Sequence, residues 1–260
     1  MTDPTGRFSN RVEDYVRWRP SYPPDVVALL RHGHGLTPEW VLADLGSGPG
    51  NLTRLFLDNG NTVVGVEPNR EMRGAGERLL AGEPRFASVD GAAEATGLPD
   101  ASVDLVVAGQ AFHWFDVARS RVEISRILRG PRLVAFVWNE RRTFGTPFLA
   151  AYEALLLGLS TDYAEVRHGS GQSEALAAFF GGADRYETAS FPYAQRFDLA
   201  GLRGRLLSSS YAPAVGEPGH DAMMADLDAL FAETSVAGEV SFDYDTTVYV
   251  GALRRAAVPV

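Results

Sequence analysis

The chain has 260 residues, a length at which one α/β domain buries roughly 70 to 75% of its unfolded surface. Its formal net charge of −9 disfavours nucleic acid as a partner, because affinity for nucleic acid comes largely from clustered positive charge that displaces counterions. The absence of cysteine and lysine excludes thiol nucleophiles, disulfides, Cys-ligated zinc, lysine Schiff bases and the Walker-type phosphate loop.

The N-terminal part of the chain predicts a helical lid followed by an outer helix. Apolar residues recur at helical spacing from Ser9 to Trp18 and from Pro24 to His32, and proline is favoured in the first turn of a helix. The N-terminus is polar and no run of about 18 apolar residues occurs, so we expect a cytoplasmic protein without a membrane partner.

Between Val41 and Asn139, short apolar and β-branched runs alternate with amphipathic stretches, the order expected of a parallel sheet covered by helices. The predicted strands are Val41 to Leu45, Thr62 to Val66, Arg85 to Val89, Val103 to Ala108 and Arg132 to Val137. The predicted helices are Asn51 to Asn59, Arg70 to Leu80 and Val117 to Leu128, and the third connection is mostly loop.

The sequence after Asn139 predicts four more helices and two more strands. The helices are Pro147 to Leu159, Ser173 to Phe180, Leu199 to Ser208 and Asp221 to Glu233. Glu187 to Phe197 and Val240 to Ala252 alternate apolar with polar residues, which suits antiparallel edge strands. The whole pattern predicts a seven-stranded, mostly parallel α/β sheet with helices on both faces and an antiparallel C-terminal edge strand.

A glycine-rich loop, DLGSGPG from Asp44 to Gly50, joins the first predicted strand to a helix. Glycines allow the sharp turn and let a ligand touch the main chain, and the helix N-terminus favours a negative group such as a carboxylate. The alternative is a tight turn without a ligand. A dinucleotide fingerprint would need a third glycine where Asn51 or Thr53 stands, so a nicotinamide site is disfavoured.

Two further strand ends carry polar side chains at the same edge of the sheet. Glu67 follows the second strand, where a carboxylate can accept hydrogen bonds from both ribose hydroxyls, or alternatively cap the next helix, as Asn69 also could. The fourth strand leads into AGQAFHWFD, and ligands of open parallel sheets collect beyond such strand ends. His113 in this string could transfer a proton near neutral pH, or could be structural.

The spacing G-x-G-x-G, with Asp44 two residues before it, resembles the first motif of class I S-adenosylmethionine-dependent methyltransferases. HWFD with the preceding Gln and Ala resembles a small-molecule subgroup of methyltransferase type 11, which includes trans-aconitate methyltransferase-like proteins. The opening FSNRVEDYVRWRPSYP and the segments SSSYAP and FDYDTTVYVGAL are similar to that subgroup as well. The resemblance covers most of the chain, is weakest from Arg141 to Gly182, and implies a Rossmann-like fold.

This resemblance implies one domain over residues 1–260, with a lid and outer helix at 1–40 and a cofactor-binding core at 41–139. A variable substrate cap would occupy 140–182, and 183–260 would complete the sheet. S-adenosylmethionine is the implied cofactor. The residues implied to bind it are Arg19, Asp44, Gly46, Ser47, Gly48, Gly50, Asn51, Glu67, Pro68, Met72, Ala92, Ala93, Glu94, Gln110 and Ala111.

Adenine recognition is where the sequence departs from the family. Relatives often have G-D-A-E after the third strand, and here the stretch from Gly91 to Glu94 has Ala92 at the acid position. Backbone groups around Ala92 and Ala93, or the side chain of Asp90, would then contact adenine. Met72 resembles the residue that packs on the adenine ring, although an apolar helix position is also typical of core.

The resemblance further implies a small-molecule acceptor with an oxygen nucleophile, a carboxylate or a hydroxyl. Carbon or nitrogen acceptors, or a non-methylating role such as a cyclase, remain alternatives. His113 is the candidate general base, and Arg19 could pair with a cofactor or substrate carboxylate or be solvated. The other histidines are scattered without ligand spacing, so no metal site is expected. The candidate substrate contacts are Tyr15, Tyr22, His113, Trp114, Phe115 and Trp138.

Overall fold

The computed structural model describes residues 16–159, 163, 172–209, 212–213 and 215–253. In this part of the chain the strands are β1 (Val41–Leu45), β2 (Thr62–Val66), β3 (Phe86–Val89), β4 (Val103–Gly109), β5 (Leu128–Arg141), β6 (Glu187–Phe197) and β7 (Val240–Ala252). They form one seven-stranded sheet in the order β3-β2-β1-β4-β5-β7-β6. β7 runs antiparallel to both of its neighbours, and the other pairs are parallel.

Helices cover both faces of the sheet. Those described are α1 (Asp25–His34), α2 (Asn51–Asp58), α3 (Arg70–Leu79), α4 (Val117–Ile127), α5 (Pro147–Leu159), α6 (Gln172–Phe180), α7 (Leu199–Leu207) and α8 (His220–Thr234). Side chains of a strand alternate between the two faces. Leu42 of β1 therefore packs with Val26 of α1, whereas the adjacent Ala43 belongs to the cluster that holds Ile124 of α4 and Phe179 of α6.

A third apolar cluster lies between the C-terminal half of the sheet and three helices. It joins Tyr152 of α5, Leu202 of α7 and Leu227 of α8 to Phe242 of β7. Residues 16–22, which we call the strap, reach this cluster through Trp18, whose ring packs edge-on against Phe197 at 6.1 Å between centroids. The strap is thus anchored on packed side chains.

The predicted fold class is confirmed, and the bounds of β1, β2, β6 and β7 are those predicted. β5 begins earlier than predicted: Gly130 and Pro131 indicate a strand start at Arg132, but Leu128 already pairs with Val103. The register then shifts before Leu133 pairs with Leu105, so the turn residues form an irregularity within one strand.

The predicted antiparallel strands at the C-terminal side are confirmed, and the structure gives their order. β7 lies between β5 and β6, and β6 alone forms that edge. Alternation of apolar and polar residues reports which face a side chain takes, but not which strand is the neighbour.

The predicted N-terminal helix from Ser9 lies largely outside the described residues. None of the helices in the described ranges is long and apolar enough to cross a bilayer.

Candidate functional site

The glycine-rich loop closes tightly between β1 and α2. Gly46, Gly48 and Gly50 have φ angles of 66°, 55° and 94°, a region that side chains disfavour. The amides of Gly46 and Ser47 donate to the carbonyl oxygen of Val66, at 2.8 and 3.3 Å, which ties the loop to the end of β2. The loop backbone is therefore held in a single bend at the carboxyl edge of the sheet.

Gly46 also has no room for a side chain, because a Cβ there would lie 2.6 Å from the Cβ of Ala111. We expect Gly46→Ala to lower the free energy of unfolding by about 2 to 3 kcal/mol, from the left-handed backbone and the steric overlap together. Urea denaturation measures this. Gly82→Ala is the control, since a Cβ at Gly82 would meet nothing within 4 Å. Equal losses in both variants would contradict the close-packing argument.

Asp44 is a buried carboxylate at the end of β1, with 1% of its surface exposed. Its Oδ2 accepts a hydrogen bond from the Thr53 hydroxyl at 2.7 Å. Oδ1 is buried and has no hydrogen-bond partner among the described residues. Burial raises the pKa of Asp44 to about 7, with a smaller contribution from the charge of Glu67, while the bond from Thr53 opposes the shift. Oδ1 is thus a buried acceptor suited to a cationic donor.

Glu67, the residue after β2, faces the glycine loop. Its Oε2 accepts from the Gly48 amide and its Oε1 from the Asn69 amide, both at 2.8 Å. Burial raises the pKa of Glu67, and the bonds from Asn69 and Gly48 oppose that shift. The cap of α3 is Asn69, whose Oδ1 accepts from the Met72 amide at 2.9 Å. The capping alternative therefore belongs to Asn69, and the Glu67 carboxylate is available to the loop.

Met72 and Arg73 complete this side of the site. The Met72 methyl lies 3.6 Å from the position a Cβ would take at Gly48. Arg73 donates to the Glu67 carbonyl at 2.8 Å and pairs with Asp90 at 3.0 Å, so it joins the ends of β2 and β3. Pro68 is exposed beside them. The sequence analysis missed Arg73, since an arginine one turn into a helix carries no distinctive signal.

The loop after β3 forms a tight turn. The Ala92 amide donates to the Ala95 carbonyl at 3.2 Å, and the Ala95 amide donates back to Ala92 at 3.0 Å. Ala93 is buried. Glu94 accepts from the Asp116 amide at 2.7 Å, which connects this turn to the end of the HWFD string. Two of the groups considered for adenine therefore already have protein partners: Asp90 pairs with Arg73, and the Ala92 amide donates to Ala95.

Gln110 occupies a strained position just after β4. Its φ is 55°, and a non-glycine residue in such a backbone region costs about 1 to 3 kcal/mol. Two hydrogen bonds hold it: its amide donates to the Val137 carbonyl and its Nε2 to the Asn139 carbonyl, both at 2.9 Å. Ala111 follows and packs against Gly46. The fourth strand thus delivers Ala111 against the glycine loop, with Gln110 directly before it.

The HWFD string begins in a 3₁₀ turn, Phe112–Trp114, that is anchored by the stacking of Phe112 on Phe136 at 4.3 Å. His113 and Trp114 lie on its outer side with ring centroids 4.7 Å apart, and Trp114 is 42% exposed. His113 keeps an exposed edge, yet the surrounding protein desolvates the imidazole and lowers its pKa from 6.5. A neutral imidazole at pH 7 can accept a proton.

The other aromatic candidates differ in their surroundings. Phe115 is half-buried, and its ring lies 3.9 Å from the position a Cβ would take at Gly46. Trp138 is buried in the core cluster, edge-on to Tyr249 at 5.6 Å between centroids. The Tyr22 hydroxyl fills the space that a Cβ would need at Gly109. Tyr15 lies outside the described residues. Their contact with a substrate remains a prediction.

The strap crosses the carboxyl edge of the sheet from the glycine loop to β5. The Pro20 carbonyl accepts from Asn51, the first residue of α2, at 3.4 Å. The Ser21 carbonyl accepts from Nδ2 of Asn139 at 2.8 Å. Arg19 points elsewhere, to the Ser208 carbonyl at 3.1 Å. Within the ranges given above, no three His, Asp or Glu side chains meet in an arrangement that would hold a metal ion.

The chain is similar to proteins of one family. Residues 43–133 match the family model of a methyltransferase domain. An uncharacterised methyltransferase of Mycobacterium tuberculosis is 38% identical over 141 residues, which cover 52% of this chain and 52% of that protein. An uncharacterised methyltransferase of Schizosaccharomyces pombe is 31% identical over 190 residues, or 69% of this chain and 73% of that protein. The chain thus spans about half the length of the mycobacterial relative.

The fold is similar to that of a solved structure from Anaeromyxobacter dehalogenans, assigned as a type II methyltransferase. The TM-score is 0.65, and the alignment covers 90% of this chain and 97% of that one. Sequence identity is 22%, so this likeness concerns the fold.

Proposed function

The chain belongs to the class I S-adenosylmethionine-dependent methyltransferases, and we propose that it transfers a methyl group from S-adenosylmethionine to an oxygen atom of a small molecule. The observation that carries this proposal is the pair of buried carboxylates, Asp44 and Glu67, on either side of a side-chain-free bend. A carbon or nitrogen acceptor is the second candidate, since no side chain among the described residues of the site selects the acceptor atom directly.

The residues at the bend fit the chemistry of this cofactor. Asp44 has a buried acceptor without a partner among the described residues, and an ammonium group such as that of the methionine part would satisfy it. Glu67 uses one hydrogen bond on each oxygen, and each oxygen can accept a second from a ribose hydroxyl. Gly48 leaves space beside the loop, because a Cβ there would meet only the Met72 methyl at 3.6 Å. Met72 offers an apolar surface beside Gly48 for the adenine ring.

The bound cofactor supplies an already activated methyl group on a sulfonium. The protein mainly has to orient the acceptor and exclude water, which can lower a barrier by about 7 to 11 kcal/mol. A carboxylate acceptor needs no base, whereas a hydroxyl must lose its proton. His113 is the candidate for that transfer, and its position on the 3₁₀ turn that follows Gln110 and Ala111 supports this role. The net charge of −9 further supports a small molecule over nucleic acid.

Calorimetry with S-adenosylmethionine tests the proposal, and Glu67 gives its sharpest variant. We expect Glu67→Ala to weaken binding by about 1.5 to 3 kcal/mol, because hydrogen bonds to a charged group are lost. Glu233→Ala, at an exposed position of α8, controls for the loss of one negative charge and should bind as the wild type does. Binding of NAD without any binding of S-adenosylmethionine would overturn the proposal. A screen with labelled methyl groups over small acids, phenols and amines then identifies the acceptor.

A further inference from the structure

The backbone of Ser21, near the end of the strap, is contacted at both of its polar groups by side chains from distant strands, and one of these contacts is a hydrogen bond. Its carbonyl accepts from Nδ2 of Asn139 at 2.8 Å, across 118 residues of sequence. Its amide lies beside the hydroxyl of Tyr193 on β6, where it opposes the rise that burial causes in the pKa of that phenol. Backbone groups in irregular segments are usually satisfied by water or local turns. Here two strands of the sheet hold the strap by its main chain.

Asn139 connects this clamp to the cofactor side of the site. It is 7% exposed, and three of its polar groups take part in the network. Nδ2 donates to the Ser21 carbonyl, Oδ1 accepts from the Thr246 hydroxyl at 2.6 Å, and the backbone carbonyl accepts from Gln110 at 2.9 Å. Thr246 stands directly opposite Asn139 in the β5–β7 ladder. One buried residue therefore fixes the strap and the strained Gln110 together.

The ends of the clamped segment lie at the mouth of the glycine loop. Pro20 accepts from Asn51 at the start of α2, and Tyr22 packs on Gly109, the residue before Gln110. A ligand on the loop would therefore lie beneath or beside the strap. Lifting the strap would leave the Asn139 amide buried without its partner, which disfavours the open state.

We propose that Asn139 is a positioning residue that, with Tyr193, latches the strap across the carboxyl edge of the sheet and so slows release of the cofactor. This inference rests on the proposed function for the identity of the ligand. The latch itself needs no ligand. The latch gives local opening of the strap a free-energy cost of its own, separate from the free energy of global unfolding.

Asn139→Asp tests the latch, because the change keeps the shape and the acceptor for Thr246 but removes the donor to Ser21. We expect amide hydrogen exchange of residues 16–22 in the unliganded protein to speed up by about fivefold to tenfold, the effect of one lost hydrogen bond. Dissociation of S-adenosylmethionine, followed by stopped flow, should accelerate by a similar factor. Tyr193→Phe removes the hydroxyl beside the Ser21 amide with little change in packing, and should act in the same direction even if Asn139→Asp folds poorly.

Ile127→Ala is the matched control, since it removes buried methyl groups from α4 in an apolar cluster that contains no residue of the strap. It should lower the melting temperature while leaving exchange of residues 16–22 and cofactor dissociation as in the wild type. Wild-type exchange of the strap in both latch variants would overturn the inference, and so would equal acceleration in Ile127→Ala. Failure of the wild type to bind S-adenosylmethionine would instead overturn the proposed function, while the exchange data still decide whether the strap is latched.

Discussion

Asp44→Asn is expected to remove a pH dependence of stability that a buried carboxylate imposes on the wild type. The pKa of Asp44 rises from 3.8 to about 7 because the group is buried. Between these values the folded state retains a proton that the unfolded state has lost, so wild-type stability falls as pH rises through that window. A shift of about three units corresponds to about 4 kcal/mol. The variant lacks this loss, and should gain about that much on the wild type between pH 4 and pH 8.

Urea denaturation of the unliganded protein at pH 4 and at pH 8 gives the difference in free energy of unfolding between variant and wild type at each pH. The change in that difference between the two pH values is the expected gain, and it excludes any constant effect of placing an amide beside Thr53. Asp58→Asn, at an exposed position on α2, controls for the loss of one negative charge. Parallel stability profiles for wild type and Asp44→Asn would contradict the buried-charge argument.

The same substitution should weaken cofactor binding while it stabilises the protein at high pH. The Oδ1 atom of Asp44 has no partner among the described residues, and an amide group in its place could present a donor to the ammonium. We expect a loss of about 1.5 to 3 kcal/mol in affinity, measured by calorimetry at pH 8. A substitution that stabilises the protein but weakens ligand binding is characteristic of a residue whose unfavourable burial in the unliganded protein serves the ligand.

The sheet and the cofactor side of the site follow from local sequence signals. β1, β2 and β4 are apolar runs that end at glycines or acids. Because the carboxyl ends of parallel strands meet at one edge of a sheet, the sequence alone predicts that Asp44, Glu67 and Gln110 lie near one another. Gly46 could be predicted as a turn residue for the same reason. What local pattern did not decide was which acid caps α3, since Glu67 and Asn69 both suit that position and only the observed bonds distinguish them.

The strap contacts could not be predicted in this way. Asn139 binds a backbone carbonyl 118 residues away, and every residue has such a carbonyl, so the side chain carries no information about its partner. Tyr193 reaches Ser21 because β6 and β7 are arranged beside β5, an order that the alternation of residues leaves undetermined. The same limitation applies to Arg73, which joins two strand ends from a helix. Predicting such long-range polar contacts therefore requires the three-dimensional arrangement of the strands.

His113→Ala should reduce turnover with a hydroxyl acceptor by about 10² to 10⁴-fold, the usual contribution of a positioned general base. Desolvation lowers the pKa of His113 below 6.5, so the wild-type imidazole stays neutral at pH 7 and loses its basic form only as the pH falls below that value. Wild-type turnover with such an acceptor should therefore decline on the acid side, and this decline should be absent from the residual activity of the variant. Steady-state rates from pH 5 to pH 8 measure both effects.

A role in positioning alone would give a different set of results, because His113 also contacts the Trp114 ring. Loss of that contact would alter KM for the acceptor without removing the acid limb of the rate.

Affinity for S-adenosylmethionine should be near normal in His113→Ala, since Asp44 and Glu67 are intact. His32→Ala, at an exposed position of α1, should match the wild type throughout. A carboxylate acceptor should be methylated at similar rates by wild type and variant, because it has no proton to lose. Equal loss on both kinds of acceptor would therefore assign His113 to packing at the rim of the site.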